Sequence, residues 1–281
     1  MTVPPIRCGG GVIEFGRRTM IMGIINMAPD SFAGDGLAGD AEAAEARGRE
    51  MGAAGADLLD VGGRSTRPRA SPVDVEEELR RTIPAVRRLA GIGLPVSVDT
   101  TYSRVAAAAL DAGAVMVNDV SGLRADPGMA PLVSRTGVPV VVMDWEDRYL
   151  ARDVLHDTAT FLRERIRAAT AAGIAETQIV VDPGYGFGLT LAQDFEILRR
   201  LRELRALGRP VLIGTSRKGS IGRGLNLPVH DRLEGTAATV AVAIVNGADM
   251  VRAHDVRAIS RVARMTDAIV RGLAERVADT T

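Results

Sequence analysis

The feature that most restricts the fold of this sequence is a strand-like apolar run that recurs eight times. The runs are "MIMGIIN" (20–26), "DLLDVGG" (57–63), "LPVSVD" (94–99), "AVMVND" (114–119), "VPVVVM" (138–143), "QIVVDP" (178–183), "PVLIGT" (210–215) and "DMVRAH" (249–254). Each is nearly continuous in apolar residues, as parallel strands covered on both faces must be; a half-exposed antiparallel strand alternates instead. Between them lie stretches such as "AEAAEARGREMGAAG", "VDVEEELRRTIPAVRRLAG" and "DFEILRRLRELRALG". There the apolar residues return at helical spacing beside charged ones. Several stretches close on a glycine just before the next run (Gly55, Gly113, Gly137, Gly173, Gly208, Gly247), which suits a left-handed helix stop.

Eight strand–helix units in 281 residues predict an α/β chain folded as a (β/α)8 TIM barrel, one domain spanning 1–281. The segment "IRCGGGVIEFG" ahead of the first unit reads as a short N-terminal hairpin plugging the barrel bottom. An open doubly wound sheet is the alternative. It would carry a glycine-rich dinucleotide turn after an early strand, and none fits.

Composition removes several function classes. Apolar residues make up 46% of the chain, ample for a full core, but aromatics only 3%, which argues against a base-stacking surface. Basic and acidic residues balance at 35 each, so neither nucleic acid nor an anionic membrane is an expected partner. A single cysteine, Cys8, rules out an internal disulfide and a cysteine metal cluster. Nothing at the N-terminus reads as a signal peptide and no apolar run is long enough to span a bilayer, so a soluble cytoplasmic protein is expected.

A TIM barrel places its active site at the C-terminal ends of its strands. Those ends carry Asn26, Asp99, Asn118, Asp182, the run "TSRK" (215–218), and Arg252 with His254. Asp99, Asn118 and Asp182 offer acceptors and an amide to the edge of a planar heterocycle. Arg217, Lys218, Arg252 and His254 offer positive charge to a phosphate or pyrophosphate, after the last two strands where such barrels often bind one. Arg252 and His254 are two apart in a strand and should face the same way. The plain alternative for that pair is a solvated strand end tied to Asp255. In "GTSRKGSIG", Ser216 and Gly219 are placed to open a helix whose amides face an anion. Two long loops, 26–36 and 62–72, mix glycine, proline and serine with Asp30, Asp35, Arg64 and Arg67, and are candidate lids.

The order of motifs resembles the dihydropteroate synthase family over nearly the whole chain: "GIINMAPDSF", "DVGGRSTRPR", "SVDT" (97–100), "NDVSG" (118–122), "DPGYGFG" (182–188), "SRK" (216–218), "GTAATVAV" and "RAHDV" (252–256). The resemblance implies a TIM barrel that joins 6-hydroxymethyl-7,8-dihydropterin pyrophosphate to p-aminobenzoate. It implies that Asp99, Asn118, Asp182 and Lys218 hold the pterin, with Met143 and Gly214 also among the substrate-binding residues. Asn26, Arg252 and His254 would hold the pyrophosphate, with Asn26 also a ligand of magnesium (Mg2+). Thr66 and Arg67 would close over the site, and Phe187 would help form the arylamine pocket. The chain departs from the family's pattern at Ala28, Arg64, Asp144, Leu189 and Gly219, where threonine, glutamate, histidine, lysine and serine are usual. Ser220 is the candidate to stand in for that missing serine near the amine's carboxylate.

Competing readings are a pterin-dependent methyltransferase and a pterin-binding paralogue with a different amine or no catalysis. The methyltransferase has no need of Arg252, His254 and "SRK". The stretch "EGTAATVAVAIVNGA" (234–248) is apolar or small on nearly every face. A helix of that kind wants burial on two sides, which predicts a homodimer.

Overall fold

The structure, a computed structural model, describes residues 3–29, 36–64, 73–146 and 152–272. It opens with a small antiparallel hairpin, β1 (Ile6–Cys8) and β2 (Gly11–Ile13), in which Ile6 faces Ile13. The parallel strands follow: β3 (Met20–Asn26), β4 (Leu58–Gly62), β5 (Val96–Asp99), β6 (Met116–Asp119), β7 (Val140–Met143), β8 (Ile179–Asp182), β9 (Leu212–Ile213) and β10 (Met250–Ala253). Each falls inside one of the eight apolar runs. They pair in the order β8-β7-β6-β5-β4-β3-β10-β9. A parallel bridge between Val181 and Val211 joins the two ends of that row, so the sheet closes into the expected (β/α)8 TIM barrel.

The helices α1 (Ala41–Ala53), α2 (Val75–Leu89), α3 (Ser103–Asp111), α4 (Met129–Thr136), α5 (Val154–Ala171), α6 (Leu191–Arg200), α7 (Gly219–Leu225), α8 (Leu233–Val245) and α9 (Val256–Arg271) connect the strands. Their starts have local causes. Asp40, Asp74 and Asp153 accept hydrogen bonds from the first free backbone amides of α1, α2 and α5, and Thr190 forms a capping box with Gln193 on α6. The six glycines singled out before the strands all have positive φ, from 67° at Gly137 to 110° at Gly113. One expected helix is broken: after Arg200 the chain tightens into a 3-10 turn over Leu201–Leu207. That winding brings i and i+3 into line, and Leu201 and Leu204 are both fully buried.

Side chains alternate across each strand, so the barrel has an inside and an outside set. Outside, Ile21, Leu59, Val98, Val117, Val142 and Val181 join the helices in the main core. Inside, near the strands' N-terminal ends, Met22, Leu58, Met116, Val141, Val180 and Leu212 pack with Ile6, Cys8 and Ile13 of the hairpin. Gln178 fixes that plug, donating to the Arg7 carbonyl and accepting from the Arg7 amide at 3.0 Å each. The bottom is sealed with apolar atoms. Function is left to the opposite end.

Candidate active site

Register builds the ring at that end. Asn26 lies beside Gly62, Gly62 beside Asp99, and Asp99 beside Asn118, while Met143 lies beside Asp182. Above the ring is a cavity of about 340 Å³. Its wall includes Asn26, Asp99, Asn118, Met143, Asp182, Phe187, Gly214, Lys218, Arg252 and His254, ten of the positions expected from the sequence. Arg252 and His254 do face the same way. Thr66 and Arg67, like Asp30 and Asp35, lie outside the described residues.

The centre of the site is an ion network. Arg252 donates through Nε to Asp60 at 2.6 Å and through Nη2 to Asp99 at 3.0 Å. Asn118 donates through Nδ2 to the same Asp60 oxygen at 2.9 Å. Asp60 is fully buried and was not among the residues expected from the sequence. The signal was present: an acid in the middle of "DLLDVGG", two residues after the inward-facing Leu58, must point into the barrel. Asp255 is not the partner of Arg252. It pairs instead with Arg217, at 2.9 and 2.6 Å, which turns Arg217 away from its expected place among the phosphate-binding cations.

Neighbouring groups are held as firmly. Lys218 Nζ sits 3.8 Å from the centroid of the Phe187 ring. The Ser216 hydroxyl accepts from the His254 amide at 3.2 Å and lies 2.9 Å from His254 Nδ1. These two contacts fix the orientation of the His254 ring against Ser216. Ser220 is buried and donates to Tyr185 at 2.7 Å. It does not line the cavity, so it is badly placed to replace the family's serine; Gly219 and Arg223 line the wall there. Arg64 also reaches the wall, bonded to Thr101 and 3.5 Å from the buried Glu78.

Burial decides the proton affinities. It raises the Asp99 carboxyl well above the ordinary range, with Arg252 opposing and Asp60 adding to the rise. It raises Asp182 as well, against the Gly184 amide and the charge of Lys218. It lowers Lys218, and Asp182 pulls the other way. Acids and a base near their titration points can exchange hydrogen bonds with a heterocycle bearing both donors and acceptors. Asp144, one of the departures from the family pattern, adds to the rise at Asp182.

A barrel closed at one end, with a polar cavity at the C-terminal ends of its strands, defines a TIM-barrel enzyme that acts on a small polar molecule. The family model "Pterin binding enzyme" matches residues 22–254. A dihydropteroate synthase of Clostridium beijerinckii is 42% identical over 95% of this chain and 100% of its own length. A Xanthomonas albilineans dihydropteroate synthase solved with 4-aminobenzoic acid superimposes with a TM-score of 0.90 at 42% identity, covering 97% of this chain and 100% of that one. A Clostridium difficile dihydropteroate synthase crystallised with pteroic acid gives 0.87 at 44% identity, over 92% and 99%. The chain belongs to the dihydropteroate synthase family of pterin-binding enzymes, the family its motifs resemble.

Proposed function

We propose that this protein condenses 6-hydroxymethyl-7,8-dihydropterin pyrophosphate with p-aminobenzoate, releasing 7,8-dihydropteroate and pyrophosphate in folate biosynthesis. The observation that carries this reading is the Asp60–Arg252–Asp99 network joined to Asn118, with Asp182 and Lys218 across the same cavity. Those groups offer a planar heterocycle both donors and acceptors. A cradle of this kind supports a pterin better than a sugar or an aliphatic acid.

The reaction asks for charge and rigidity more than for a strong base. The bond between the pterin's methylene carbon and the pyrophosphate oxygen breaks, its electron pair leaving with pyrophosphate. The electron-rich pterin delocalises the resulting cation. The amine nitrogen then forms the new C–N bond and loses its proton to solvent. Arg252 keeps Nη1 outside both carboxylate contacts, and His254 lines the same cavity. Both are disposed to meet negative charge as it grows on the leaving group. Lys218, above Phe187, adds positive charge over the pterin's acidic partners.

Magnesium fits the donor set. Among the described residues no group of three His, Cys, Asp or Glu side chains is placed to cage a metal. Asn26 lines the cavity, its Oδ1 oriented by the Ala28 amide at 3.0 Å and keeping a second lone pair. One protein oxygen is what Mg2+ needs when waters and phosphate oxygens complete its shell. Bound there, it would supply charge neutralisation for the pyrophosphate.

A homodimer is proposed from the outer face of the last two helices. Val242 and Val245 on α8 and Met265, Ile269 and Val270 on α9 are exposed, and the two helices pack together. No described helix is long and apolar enough to cross a membrane, and the substrates are small water-soluble molecules; both support a cytoplasmic location. The function is tested by genetic complementation. The gene should restore growth without supplied folate end-products to a bacterium lacking its own dihydropteroate synthase, and Asp182→Ala should not. A well-expressed, folded wild-type protein that fails to restore growth overturns the reading.

A further inference from the structure

We propose that Arg223 binds the carboxylate of the arylamine substrate and so sets the preference for an acidic amine. The inference rests on the function proposed above. p-Aminobenzoate is a rigid para-substituted ring. With its nitrogen at the reacting carbon, its carboxylate must lie at the far end of the ring, toward the cavity mouth. A carboxylate drawn partly out of water needs a cation there.

The cations of the wall differ in what already holds them. Arg252 is tied to Asp60 at 2.6 Å and Asp99 at 3.0 Å, at the floor. Arg64, on the β4 side, is only 17% exposed, bonded to Thr101 and set over the Tyr102 ring. Lys218 sits over the Phe187 ring, and His254 on Ser216. Arg223 lines the same cavity on the Phe187 side, yet its side chain is 56% exposed, so it stands at the rim. Its ion pair, to Asp194 Oδ2, is long at 3.5 Å.

Two features make this more than a loose surface arginine. Asp194 is fully buried and fixed through Oδ1 by the Gly186 amide at 2.7 Å. Its other oxygen therefore orients the guanidinium from behind without enclosing it. Gly219, four residues earlier and on the same face of α7, has no side chain, and a Cβ built there would stand 3.6 Å from Arg223 Nη1. The guanidinium thus occupies the space over Gly219 that another side chain would have reached. An arginine presents a carboxylate with two parallel N–H donors, a match that a neutral amide cannot return with charge.

The test compares p-aminobenzoate with neutral 4-aminobenzamide in wild type, Arg223→Ala and Arg223→Lys. Arg223→Ala is expected to raise KM for p-aminobenzoate by roughly 10–100-fold, with a much smaller change in kcat, the scale of one charge-assisted contact. KM for 4-aminobenzamide should stay within about 3-fold, no more than the factor set by one weak-to-moderate net hydrogen bond. Arg223→Lys should recover most of the p-aminobenzoate affinity. Equal losses with both amines would mean that Arg223 merely braces Asp194, and unchanged KM for p-aminobenzoate would mean that it touches nothing; either overturns the proposal. A wild-type enzyme inactive with both amines would instead remove the proposed function on which this rests.

Discussion

Removing Asp60 should cost stability and pterin affinity together, because one carboxylate oxygen serves both Arg252 and Asn118. That oxygen takes Arg252 Nε at 2.6 Å and Asn118 Nδ2 at 2.9 Å, inside the barrel where Asp60 has no exposure at all. Taking one partner from a buried ion pair costs about 3–5 kcal/mol, against ~1 kcal/mol or less at a surface. Arg252 retains Asp99 at 3.0 Å, so Asp60→Ala should fall near the lower end, about 3 kcal/mol. A domain stable by about 5–15 kcal/mol survives that loss with a lowered unfolding midpoint. The Asn118 amide, no longer oriented, should also bind a non-reactive pterin about 10-fold more weakly, the value of one net hydrogen bond. Urea unfolding followed by circular dichroism measures the first effect and calorimetry the second. Asp60→Asn keeps the shape and one acceptor, so it should fall between wild type and alanine on both. If Asp60→Ala unfolds at the wild-type midpoint and binds pterin unchanged, the network is incidental and the reasoning fails.

Other consequences can be checked separately. Arg252→Ala should lower kcat by roughly 10²–10³-fold, the scale for losing one preorganised charge partner; a normal kcat would remove Arg252 from the reaction. Burial raises the Asp194 carboxyl from 3.8 to about 6, opposed by the Gly186 amide, Lys218, Arg223 and Ser220. The folded state thus keeps a proton that the unfolded chain has lost, a contribution complete below 3.8 and gone as pH rises through about 6. Wild type should therefore lose stability relative to Asp194→Asn across that window, whereas parallel stability curves would contradict the shift. Ile269→Glu, at a position 72% exposed on α9, should convert a dimer into monomers in light scattering, and an unchanged mass would clear that face of any role in association. Turnover should disappear on exhaustive chelation and return with magnesium; full activity without it would remove the metal.

Much of this was legible in the sequence, for reasons that can be located. The eight strands show because buried parallel strands leave no room for polar residues until the chain surfaces. For the same reason Asn26, Asp99, Asn118 and Asp182 stand out at their ends. The glycines before the strands mark helix stops by backbone chemistry alone. Pairing was harder to read. Arg252 at a strand end looked available to an anion, but its first partners are Asp60 and Asp99, contributed by strands far away in sequence. Arg217 sits beside Lys218 in "SRK", yet it pairs with Asp255, just past β10 and distant in sequence. Ser220 lies next to Gly219, but α7 has already begun at Gly219, and one step along a helix rotates a side chain to another face. Asp60 hides inside an apolar run, and only the period of two of the strand places it in the barrel.

The central claim is tested most directly by product identity. Purified protein is incubated without oxygen with the pterin pyrophosphate, magnesium and p-aminobenzoate, and the mixture is separated and weighed by mass spectrometry. The account predicts 7,8-dihydropteroate when all three are present, each molecule of it accompanied by one pyrophosphate, and no dihydropteroate when the amine is omitted. No dihydropteroate from a folded protein that binds pterin would contradict it.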